Sequence, residues 1–425
     1  MDLDQAEADD HNFGRLYAGI LIRADSISLV VGRKTKAVDD SMPFCFVPHT
    51  HPRSMLHLTV PTAREFPQTL SLIIASLFHL DERVIGIGIA TYGPILSINI
   101  KQRNRLYKRF MEGHTEQTVI DDTVVENFDD HRNARLAGWT YGKISPSSQH
   151  TKLRELDIYS IVRNQLRAFG DPGDEVGVAI HTDVTCGALT ESFFRRKRAS
   201  NADDEIRRME EDTVVFLNLA EGIGGGVVIN RSSLGSANHP EMGYLILQLD
   251  GTNDTTHPTS ESATARASHK TQDKTTPNFV EKYASLPAIL KHTEKADLKE
   301  IGAEDWQRVI GYIAQLCASI TFAIGPHRIV LHGPIAEFST KSAITEEPFS
   351  ELVFEQMTPW LSIEGQQYVT YPEITQRNYI LESRYVEWAA TSRDSGALTE
   401  KLIDPMLYGA LIYGAQTPPE NMSIL

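Results

Sequence analysis

The chain has 425 residues, 41% of them hydrophobic and 23% charged, a composition typical of a globular protein with two or three domains. Its formal net charge of -15 disfavours binding to nucleic acid and to anionic membranes. The longest apolar run, Leu70 to Phe78, is too short to span a bilayer, and the acidic N-terminal residues do not resemble a signal peptide. We therefore expect neither a membrane segment nor secretion.

The cysteines and the one basic cluster indicate the compartment and the partners. Cys45, Cys186 and Cys317 are scattered without a CxxC pair, which is typical of a reducing compartment, so we expect a cytoplasmic protein. The basic cluster Arg195 to Arg198 has the composition of a nuclear import or nucleic-acid signal. Acidic residues that follow it largely neutralise its charge, so we interpret it as a solvated loop and expect no nucleic-acid partner.

Residues 1–13 form an acidic tail, expected to be disordered, before a first half of alternating strands and helices. Apolar runs bounded by polar turns predict strands at Leu16 to Ile22, Ile27 to Val31, Phe44 to Val47, Val84 to Ala90 and Val176 to Ile180. Thr62 and Glu65 form a capping box that opens a helix to about Leu80. Further helices are predicted at Ile158 to Phe169 and Asp183 to Phe194. This order indicates an α/β fold.

The second half repeats the three-strand opening. Strands are predicted at Thr213 to Leu219, Gly226 to Asn230, Tyr244 to Leu249 and Arg328 to His332, with helices at Trp306 to Phe322 and Pro405 to Ala415. Residues 252–277 are dominated by Thr, Ser, Ala and charged residues and contain no large apolar side chain. Such a segment cannot bury enough surface to order itself, so we expect a disordered surface insertion.

Glycines cluster after the first strand of the second half, in Glu221 to Gly226. Backbone without Cβ atoms lets amide groups approach and hold a phosphate. The candidate phosphate-binding residues are therefore Gly222, Gly224, Gly225 and Gly226. A tight glycine turn without any ligand has the same sequence, and this motif alone does not separate the two interpretations.

Two carboxylates occupy positions suited to chemistry. Asp183 lies where a predicted strand gives way to a helix, and a carboxylate there can take a proton from a hydroxyl. A helix N-cap has the same residue type in the same place, so that interpretation stays open. Glu241 lies in the segment His239 to Gly243, a rigid turn suited to hydrogen-bonding a polyol or simply to reversing the chain.

Taken together and in this order, the motifs resemble the ROK family of sugar kinases, and most closely its bacterial fructokinase branch. His181 to Glu191 resembles D-T-D-V-N-A-A-A-L-G-E, Glu221 to Val227 resembles T-G-I-G-G-G, and His239 to Tyr244 resembles H-P-E-M-G-H. The other similar segments are Gly88 to Ile95, Tyr141 to Pro146, Glu281 to Ala288 and Leu407 to Ile412. The resemblance extends over nearly the whole chain.

The resemblance implies two actin-like, ribonuclease H-like α/β ATPase domains that flank a cleft. They correspond to residues 14–181, with 405–425 packing back on them, and to residues 182–404. It also implies ATP-dependent phosphorylation of a hexose similar to fructose, with Asp183 as the catalytic base. By position, Thr182, His239 and Glu241 would bind the sugar. The residues that would face the nucleotide are Gly222, Gly224, Gly225, Gly226 and Gly333.

The nucleotide side departs from the family pattern. The first phosphate segment, E-A-G-G-T-K, is replaced by Leu21 to Ser26, and Glu221 replaces the threonine before the second glycine run. The acids Asp25 and Glu221 would repel phosphate, and Arg23 is a candidate ion-pair partner for Glu221. On the other side of the site, Tyr244 replaces a family zinc ligand and the cysteines of that zinc site are missing, so we expect no structural zinc.

Three hypotheses follow from this pattern of retention and loss. The leading one is a working sugar kinase that uses ATP and Mg²⁺, because the base, one glycine segment and the sugar turn are retained. The second is a pseudokinase that has lost ATP use and applies Asp183 to a different acid/base reaction on a small metabolite. The third is a protein that only binds a sugar, as a sensor or scaffold. The expected partner is a sugar or sugar-like metabolite, and the resemblance favours a homodimer.

Overall fold

The structure, a computed structural model, describes residues 13–36, 44–96, 142–146, 148–170, 175–194, 212–234, 240–248, 277–341, 347–363, 366–367, 379–383, 385–391 and 398–417. The described residues form two compact units. The first unit draws on Met1–Arg208, Val228–His239 and Arg384–Leu425, and the second on Met209–Val227 and Pro240–Ser383. The acidic tail before residue 13, the cluster Arg195 to Arg198, His239 and the insertion up to residue 276 lie outside the described residues.

The elements are as follows. In chain order the strands are β1 (Leu16–Ile22), β2 (Ser26–Thr35), β3 (Cys45–Pro48), β4 (Met55–Thr59), β5 (Val84–Thr91), β6 (Ile95–Leu96), β7 (Lys143–Ile144), β8 (Gly177–Thr182), β9 (Thr213–Leu219), β10 (Ile223–Ile229), β11 (Ser232–Ser233), β12 (Arg328–His332), β13 (Ser362–Ile363), β14 (Gln366–Gln367), β15 (Ile380–Glu382), β16 (Val386–Thr391) and β17 (Leu398–Ile403). The α-helices are α1 (Phe66–Leu77), α2 (Ile158–Ala168), α3 (Asp183–Phe193), α4 (Glu281–Ala284), α5 (Leu286–Thr293), α6 (Ala303–Ile324), α7 (Pro334–Lys341), α8 (Phe349–Met357) and α9 (Pro405–Gln416). Short 3-10 helices lie at Pro52–Ser54, Ala63–Glu65, Met242–Tyr244, Leu298–Glu300 and Thr358–Leu361.

A six-stranded sheet of order β3-β2-β1-β5-β8, with β4 also paired to β2, forms the centre of the first unit. β1 runs antiparallel to β2 but parallel to β5, and β5 is parallel to β8. All seven residues of β1 are buried, as expected for a central strand covered on both faces. The parallel pairs are connected through helices, which confirms the predicted α/β class.

Alternate residues of β1 and β5 face two different layers of helix. On one face, Ile20 and Ile87 share a core with residues of α1 and α2, such as Phe66 and Val162. On the other face lies α9, in which every residue from Pro405 to Ala415 is buried.

Glycines make the close approach of α9 possible. A Cβ atom on Gly88 of β5 would lie 1.7 Å from the backbone oxygen of Ala410, and one on Gly19 of β1 would lie 2.8 Å from that of Leu407. Those distances leave no room for any side chain, because the opposing atoms are backbone. The glycines of the two strands therefore form the surface on which α9 packs.

The division between the units differs from the division at residue 182 that the sequence suggested. The helix α3, which begins at Asp183, belongs to the first unit. It packs on α9 so closely that a Cβ on Gly409 would lie 1.9 Å from the backbone oxygen of Cys186. The Thr190 hydroxyl also donates to the Pro405 carbonyl at 2.6 Å. These contacts tie α3 to the first sheet through α9.

The second unit contains β9, β12, β15 and residues 223–227 of β10, which belong to a five-stranded sheet of order β11-β10-β9-β12-β15. β12 is parallel to both β9 and β15. Its core combines sheet residues with Trp306 and Ile313 of α6 and with Phe349 and Val353 of α8. Arg328, at the start of β12, pairs with Asp212 through two hydrogen bonds of 2.8 and 2.9 Å, which fixes the entry to the sheet.

One described helix, α6, is long and apolar enough to cross a membrane by length and composition. The sequence predicted a helix here, at Trp306 to Phe322, with scattered polar residues that interrupt its apolar residues. Half of its most apolar window is buried inside the protein, and its buried residues belong to the core of the second unit. Among the described helices, no other meets the same test.

The predicted strand at Tyr244 to Leu249 is wrong. The segment begins with the 3-10 helix Met242–Tyr244 and makes an isolated bridge between Ile246 and Phe279. The amides of Tyr244 and Leu245 donate to the carbonyls of Glu241 and Met242, which closes local turns. These amides are therefore not available to a β-ladder, despite the apolar sequence.

Two element starts also differ from prediction. β10 begins at Ile223 and not at Gly226, so the glycines 224–226 lie inside a strand. At the predicted capping box, Thr62 makes no side-chain cap bond, and its hydroxyl donates instead to the Glu65 carboxylate at 2.7 Å. The chain there forms a 3-10 turn before α1 begins at Phe66.

Candidate active site

The carboxyl ends of three parallel strands meet at one edge of the first sheet. Ile22 of β1 is in register with Thr91 of β5, and Thr91 is in register with Thr182 of β8. The residues that follow the outer two strands, Arg23 and Asp183, therefore lie at the same edge. Ligands of open α/β sheets bind outside the carboxyl ends of the strands, so this edge is the candidate active site of the first unit.

The helix N-cap of α3 is Thr182 and not Asp183. The Thr182 hydroxyl accepts from the Thr185 amide at 3.4 Å and lies 2.7 Å from the Thr185 hydroxyl. Asp183 is the first helical residue, and its carboxylate accepts from the Val184 amide at 2.9 Å. The cap is thus provided by Thr182 and Thr185, which leaves the carboxylate of Asp183 open to another role.

The Asp183 carboxyl is buried, with only 5% of the residue exposed. Burial raises its pKa from 3.8 to about 7, while the Val184 amide and the Arg23 guanidinium act in the opposite direction and Asp404 adds to the rise. Near neutral pH the group is therefore divided between its acid and its carboxylate form. A general base is most effective when its pKa lies near the working pH.

Arg23 and Asp404 form an ion pair that sequence reasoning missed. Asp404 is the N-cap of α9: one of its carboxylate oxygens accepts from the Met406 amide at 2.8 Å, and the other binds Arg23. Asp404, Tyr92 and Asp183 raise the pKa of Arg23 above its ordinary value although burial lowers it. The Asp-Pro step at the start of α9 was the available sequence signal for the cap. The ion pair gives Arg23 a partner other than the suggested Glu221.

The turn between β1 and β2 is closed by its own hydrogen bonds. The Arg23 amide donates to the Ser26 carbonyl at 2.9 Å, and the Ser26 hydroxyl donates to the Asp25 carboxylate at 3.0 Å. The Asp25 carbonyl accepts from the Val60 amide at 2.6 Å. This turn presents an exposed carboxylate and not a ring of amides, so it does not have the donor set of a phosphate cradle.

The glycine segment of the second unit is partly committed to packing. A Cβ on Gly225 would lie 2.2 Å from the Met242 sulfur, so this glycine makes room for Met242. The Ile223 amide already donates to the Glu281 carboxylate at 2.9 Å. Glu221 is exposed at the turn, where the Ala220 amide donates to the Gly222 carbonyl at 3.0 Å. The segment therefore combines a strand, a packing contact and one exposed turn.

Gly333 lies beside this turn. It follows β12 with a positive φ of 99°, and a Cβ on it would lie 2.7 Å from the Leu219 backbone oxygen. The Leu286 amide, at the start of α5, donates to the Ala220 carbonyl at 2.8 Å. The second unit thus brings together three segments that the sequence separates, around Gly222, Leu286 and Gly333.

Glu241 and Glu281 form an acidic pair in the second unit. Partial burial and the neighbouring Glu281 raise the pKa of Glu241, which lies at the surface. A Cβ on Gly243 would lie 2.6 Å from the Ile223 backbone oxygen and 3.0 Å from the Glu281 carboxylate. The predicted sugar-binding turn therefore packs directly on the glycine strand.

We expect Glu281→Ala to lower the free energy of unfolding by about 1 to 3 kcal/mol. The reason is that the Ile223 amide, in a residue that is 3% exposed, loses its acceptor. Urea unfolding followed by circular dichroism measures the change. Glu281→Gln keeps an acceptor oxygen and serves as the control, with a smaller loss. Equal losses in the two variants would contradict this role of the carboxylate.

The first unit thus holds Thr182 and Asp183, and the second holds Glu241, the glycines of residues 222–226 and Gly333. Within the described ranges, no group of three or more His, Cys, Asp or Glu residues is arranged to hold a metal ion. The expectation that the protein lacks structural zinc remains a prediction. Cys45, Cys186 and Cys317 are free, and the latter two are buried.

Comparison with solved structures identifies the fold. A ROK hexokinase from Thermus thermophilus superposes with a TM-score of 0.51 and 15% identity, covering 94% of this chain and 98% of that one. A ROK family protein from Streptococcus pneumoniae TIGR4 in complex with sucrose gives 0.50 and 15%, with the same coverage. A ROK family transcriptional regulator, a homologue of E. coli MLC, gives 0.50 and 13%, covering 97% and 83%. The protein has the actin-like fold of this group, as predicted.

Comparison of sequences gives a family match for part of the chain. Residues 174–362 match the ROK family model, so the chain contains a ROK family domain, and the predicted resemblance is confirmed there. The putative fructokinase of Bacillus subtilis (strain 168) is 26% identical over 200 residues, 47% of this chain and 55% of the relative. The fructokinase of Pediococcus pentosaceus is 25% identical over 149 residues, 34% and 46%. The chain therefore matches about half the length of these curated relatives.

Proposed function

We propose that the protein is a ROK-type carbohydrate kinase that transfers the γ-phosphoryl group of ATP to a hexose similar to fructose. The observation that carries this proposal is the buried carboxyl of Asp183, at the carboxyl edge of the first sheet, with a pKa of about 7. A base of this kind matches the need to remove a proton from a sugar hydroxyl at neutral pH.

In the proposed reaction, Asp183 accepts the proton of the sugar hydroxyl as its oxygen bonds to the γ-phosphorus. The bond between that phosphorus and the bridging oxygen breaks, and ADP leaves with the electron pair. Thr182, His239 and Glu241 are the proposed sugar-binding residues, and the glycine segment with Gly333 is proposed to face the nucleotide. ATP enters with Mg²⁺, which neutralises phosphate charge during transfer.

The names of similar proteins support this choice of substrate. The two curated relatives are described as fructokinases, and one solved neighbour was crystallised with sucrose. We also propose a sugar or sugar-like metabolite as the partner, a homodimer as the assembly, and the cytoplasm as the compartment. No nucleic-acid partner is proposed.

We expect ATP-dependent release of ADP in the presence of a hexose, and a loss of about a hundredfold to ten-thousandfold in turnover for Asp183→Asn. A coupled assay of ADP with fructose, mannose and glucose measures both. Asp305→Asn, which changes a partly exposed carboxylate that pairs with Arg308, is the matched control and retains full activity. Activity that survives in Asp183→Asn would remove this residue from the reaction.

The second candidate is a protein that binds a sugar or transforms a small metabolite without ATP. The closed β1–β2 turn favours it, because Asp25 is exposed there and the Arg23 amide is already bonded. A solved neighbour that is a transcriptional regulator has the same fold without being described as a kinase. Calorimetric titration separates the candidates: sugar binding with no binding of millimolar ATP and Mg²⁺ would reject the kinase. A product formed without ATP, and lost in Asp183→Asn, would support the altered enzyme.

A further inference from the structure

Arg23 is the one cation that acts electrostatically on the candidate base, Asp183, in the described part of the first unit. It follows β1 directly, whereas Asp183 follows β8, and the two strands flank β5. The Arg23 side chain is 40% exposed and that of Asp404 is 14% exposed, so the pair lies at the border between the sheet edge and solvent. Asp404 itself is fixed, because its other carboxylate oxygen caps α9.

The charged and titratable groups around Asp183 come from three elements. Arg23 comes from the end of β1, Asp404 from the start of α9, and Cys186 from the next turn of α3. Tyr92 and Tyr385 act on Arg23 and complete the set. The thiol of Cys186 is neutral at ordinary pH, because burial raises its pKa well above its usual value. The charge felt by Asp183 is therefore decided by one guanidinium and one carboxylate.

We propose that Arg23 is a positioning residue whose guanidinium, clamped by Asp404, sets the charge of the Asp183 carboxyl. This inference rests on the proposed role of Asp183 as a base. A guanidinium stays charged at every physiological pH, so it provides a fixed positive charge and not one that titrates with the site. Its attraction for the ionised form of Asp183 opposes the effect of burial.

The ion pair with Asp404 explains why an arginine at position 23 is compatible with Asp183 acting as a base. A guanidinium alone would be free to move towards Asp183 and to form a tight pair that blocks the carboxylate as a proton acceptor. Asp404, at the start of α9, binds the guanidinium. The side-chain hydrogen bond of Arg23 therefore goes to Asp404, and Arg23 acts on Asp183 through its charge. The base thus keeps an available oxygen while its ionised form is stabilised.

The opposite charges of the two neighbours give opposite predictions for their removal. Removal of the Arg23 charge should raise the pKa of Asp183, because the guanidinium acts on that carboxyl in the lowering direction. Removal of the Asp404 charge should lower it, because that carboxylate acts on Asp183 in the raising direction. Arg23→Lys keeps the charge and should restore a titration close to that of the wild type.

Carbon-13 NMR of the full chain, labelled on its aspartate carboxyl carbons, tests this directly. The Asp183 signal is identified by its absence in Asp183→Asn and is followed from pH 4 to pH 9. The variants are Arg23→Gln, Arg23→Lys and Asp404→Asn, the last of which retains an oxygen to cap α9. Arg33→Gln, which breaks the exposed pair of Arg33 with Glu82 in the same sheet, is the matched control.

We expect the midpoint of the Asp183 titration to move to higher pH in Arg23→Gln and to lower pH in Asp404→Asn. It should stay near the wild-type value in Arg23→Lys and Arg33→Gln. An unchanged midpoint in Arg23→Gln, or a shift of the same sign in Arg23→Gln and Asp404→Asn, overturns the inference. If Arg23→Gln does not fold, Arg23→Met, which keeps an aliphatic stem and removes the charge, takes its place in the same titration.

The same experiment separates this inference from the proposed kinase activity. The titration is measured without any substrate, so it stands even if the protein transfers no phosphoryl group. If the protein is active, the acid limb of the pH profile of kcat should move with the NMR midpoint in each variant. A profile that stays in place while the midpoint moves would reject Asp183 as the base and keep Arg23 as the group that sets its charge.

Discussion

At pH 8, the Asp183→Asn protein should be more stable than the wild type by up to about 4 kcal/mol in free energy of unfolding. The gain should disappear near pH 4. The cause is the raised pKa of Asp183, about 7 in the folded protein against 3.8 for an unperturbed aspartate. The residue proposed to be essential for catalysis therefore lowers the free energy of unfolding at neutral pH.

The sign follows from proton binding. Below the unfolded pKa, the carboxyl is protonated in both the folded and the unfolded protein, so it contributes no penalty. As pH rises from about 4 to about 7, the unfolded chain ionises while the buried group does not, and stability is lost progressively. Above pH 7 the loss is complete and constant. An asparagine in its place does not titrate and has no such loss.

Urea unfolding of both proteins at pH 4, 6 and 8 measures the effect. Asp305→Asn changes a partly exposed carboxylate and should show no gain that grows with pH. A difference between Asp183→Asn and the wild type that is the same at all three pH values would mean that the carboxyl is not buried as an acid. If the same variant also loses turnover, Asp183 is a residue that lowers stability and is required for activity.

The second large effect is expected from one added methyl group. Gly409→Ala should lower the free energy of unfolding by about 3 kcal/mol or more, or prevent folding. The new Cβ would lie 1.9 Å from the Cys186 backbone oxygen, and 2.4 Å from its carbonyl carbon. Since these atoms are backbone, only a shift of α3 against α9 can relieve the contact.

Gly311→Ala is the matched control, because Gly311 is also a glycine inside a helix. A Cβ there would meet only the end of the Gln356 side chain, at 3.1 Å, and that flexible group can move aside. We expect Gly311→Ala to be neutral or to stabilise by up to about 1 kcal/mol, as alanine favours helix. Thermal unfolding of the two variants measures the difference. Equal effects would show that the approach of α3 to α9 is looser than described.

The strands of the first sheet were predictable because apolar runs bounded by turn residues are strong local signals. β1, β5 and β8 were expected within one or two residues of their observed bounds. The position of Asp183 was predictable for the same reason, since it directly follows a buried strand. The wrong strand at Tyr244 to Leu249 had an apolar sequence, but the amides of Tyr244 and Leu245 found partners in local turns.

The partners of the site residues were not predictable in the same way. Arg23 and Asp404 are 381 residues apart in sequence, and Ile223 and Glu281 are 58 apart. No local pattern links them, because each pair depends on how a distant helix packs. The sequence revealed the residue types at the site. The charge around Asp183 also depends on Asp404, which only the packing of α9 brings to Arg23.

The packing of α9 on Gly19 and Gly88 affects the order in which the protein can fold during its synthesis on the ribosome. The strands that carry these glycines are made early, whereas α9 is made only after the second unit, which extends to Ser383. Until then the face of the nascent first sheet that α9 covers, with Gly19, Gly86 and Gly88 on it, is open. The first unit therefore cannot be completed until the whole second unit has been translated.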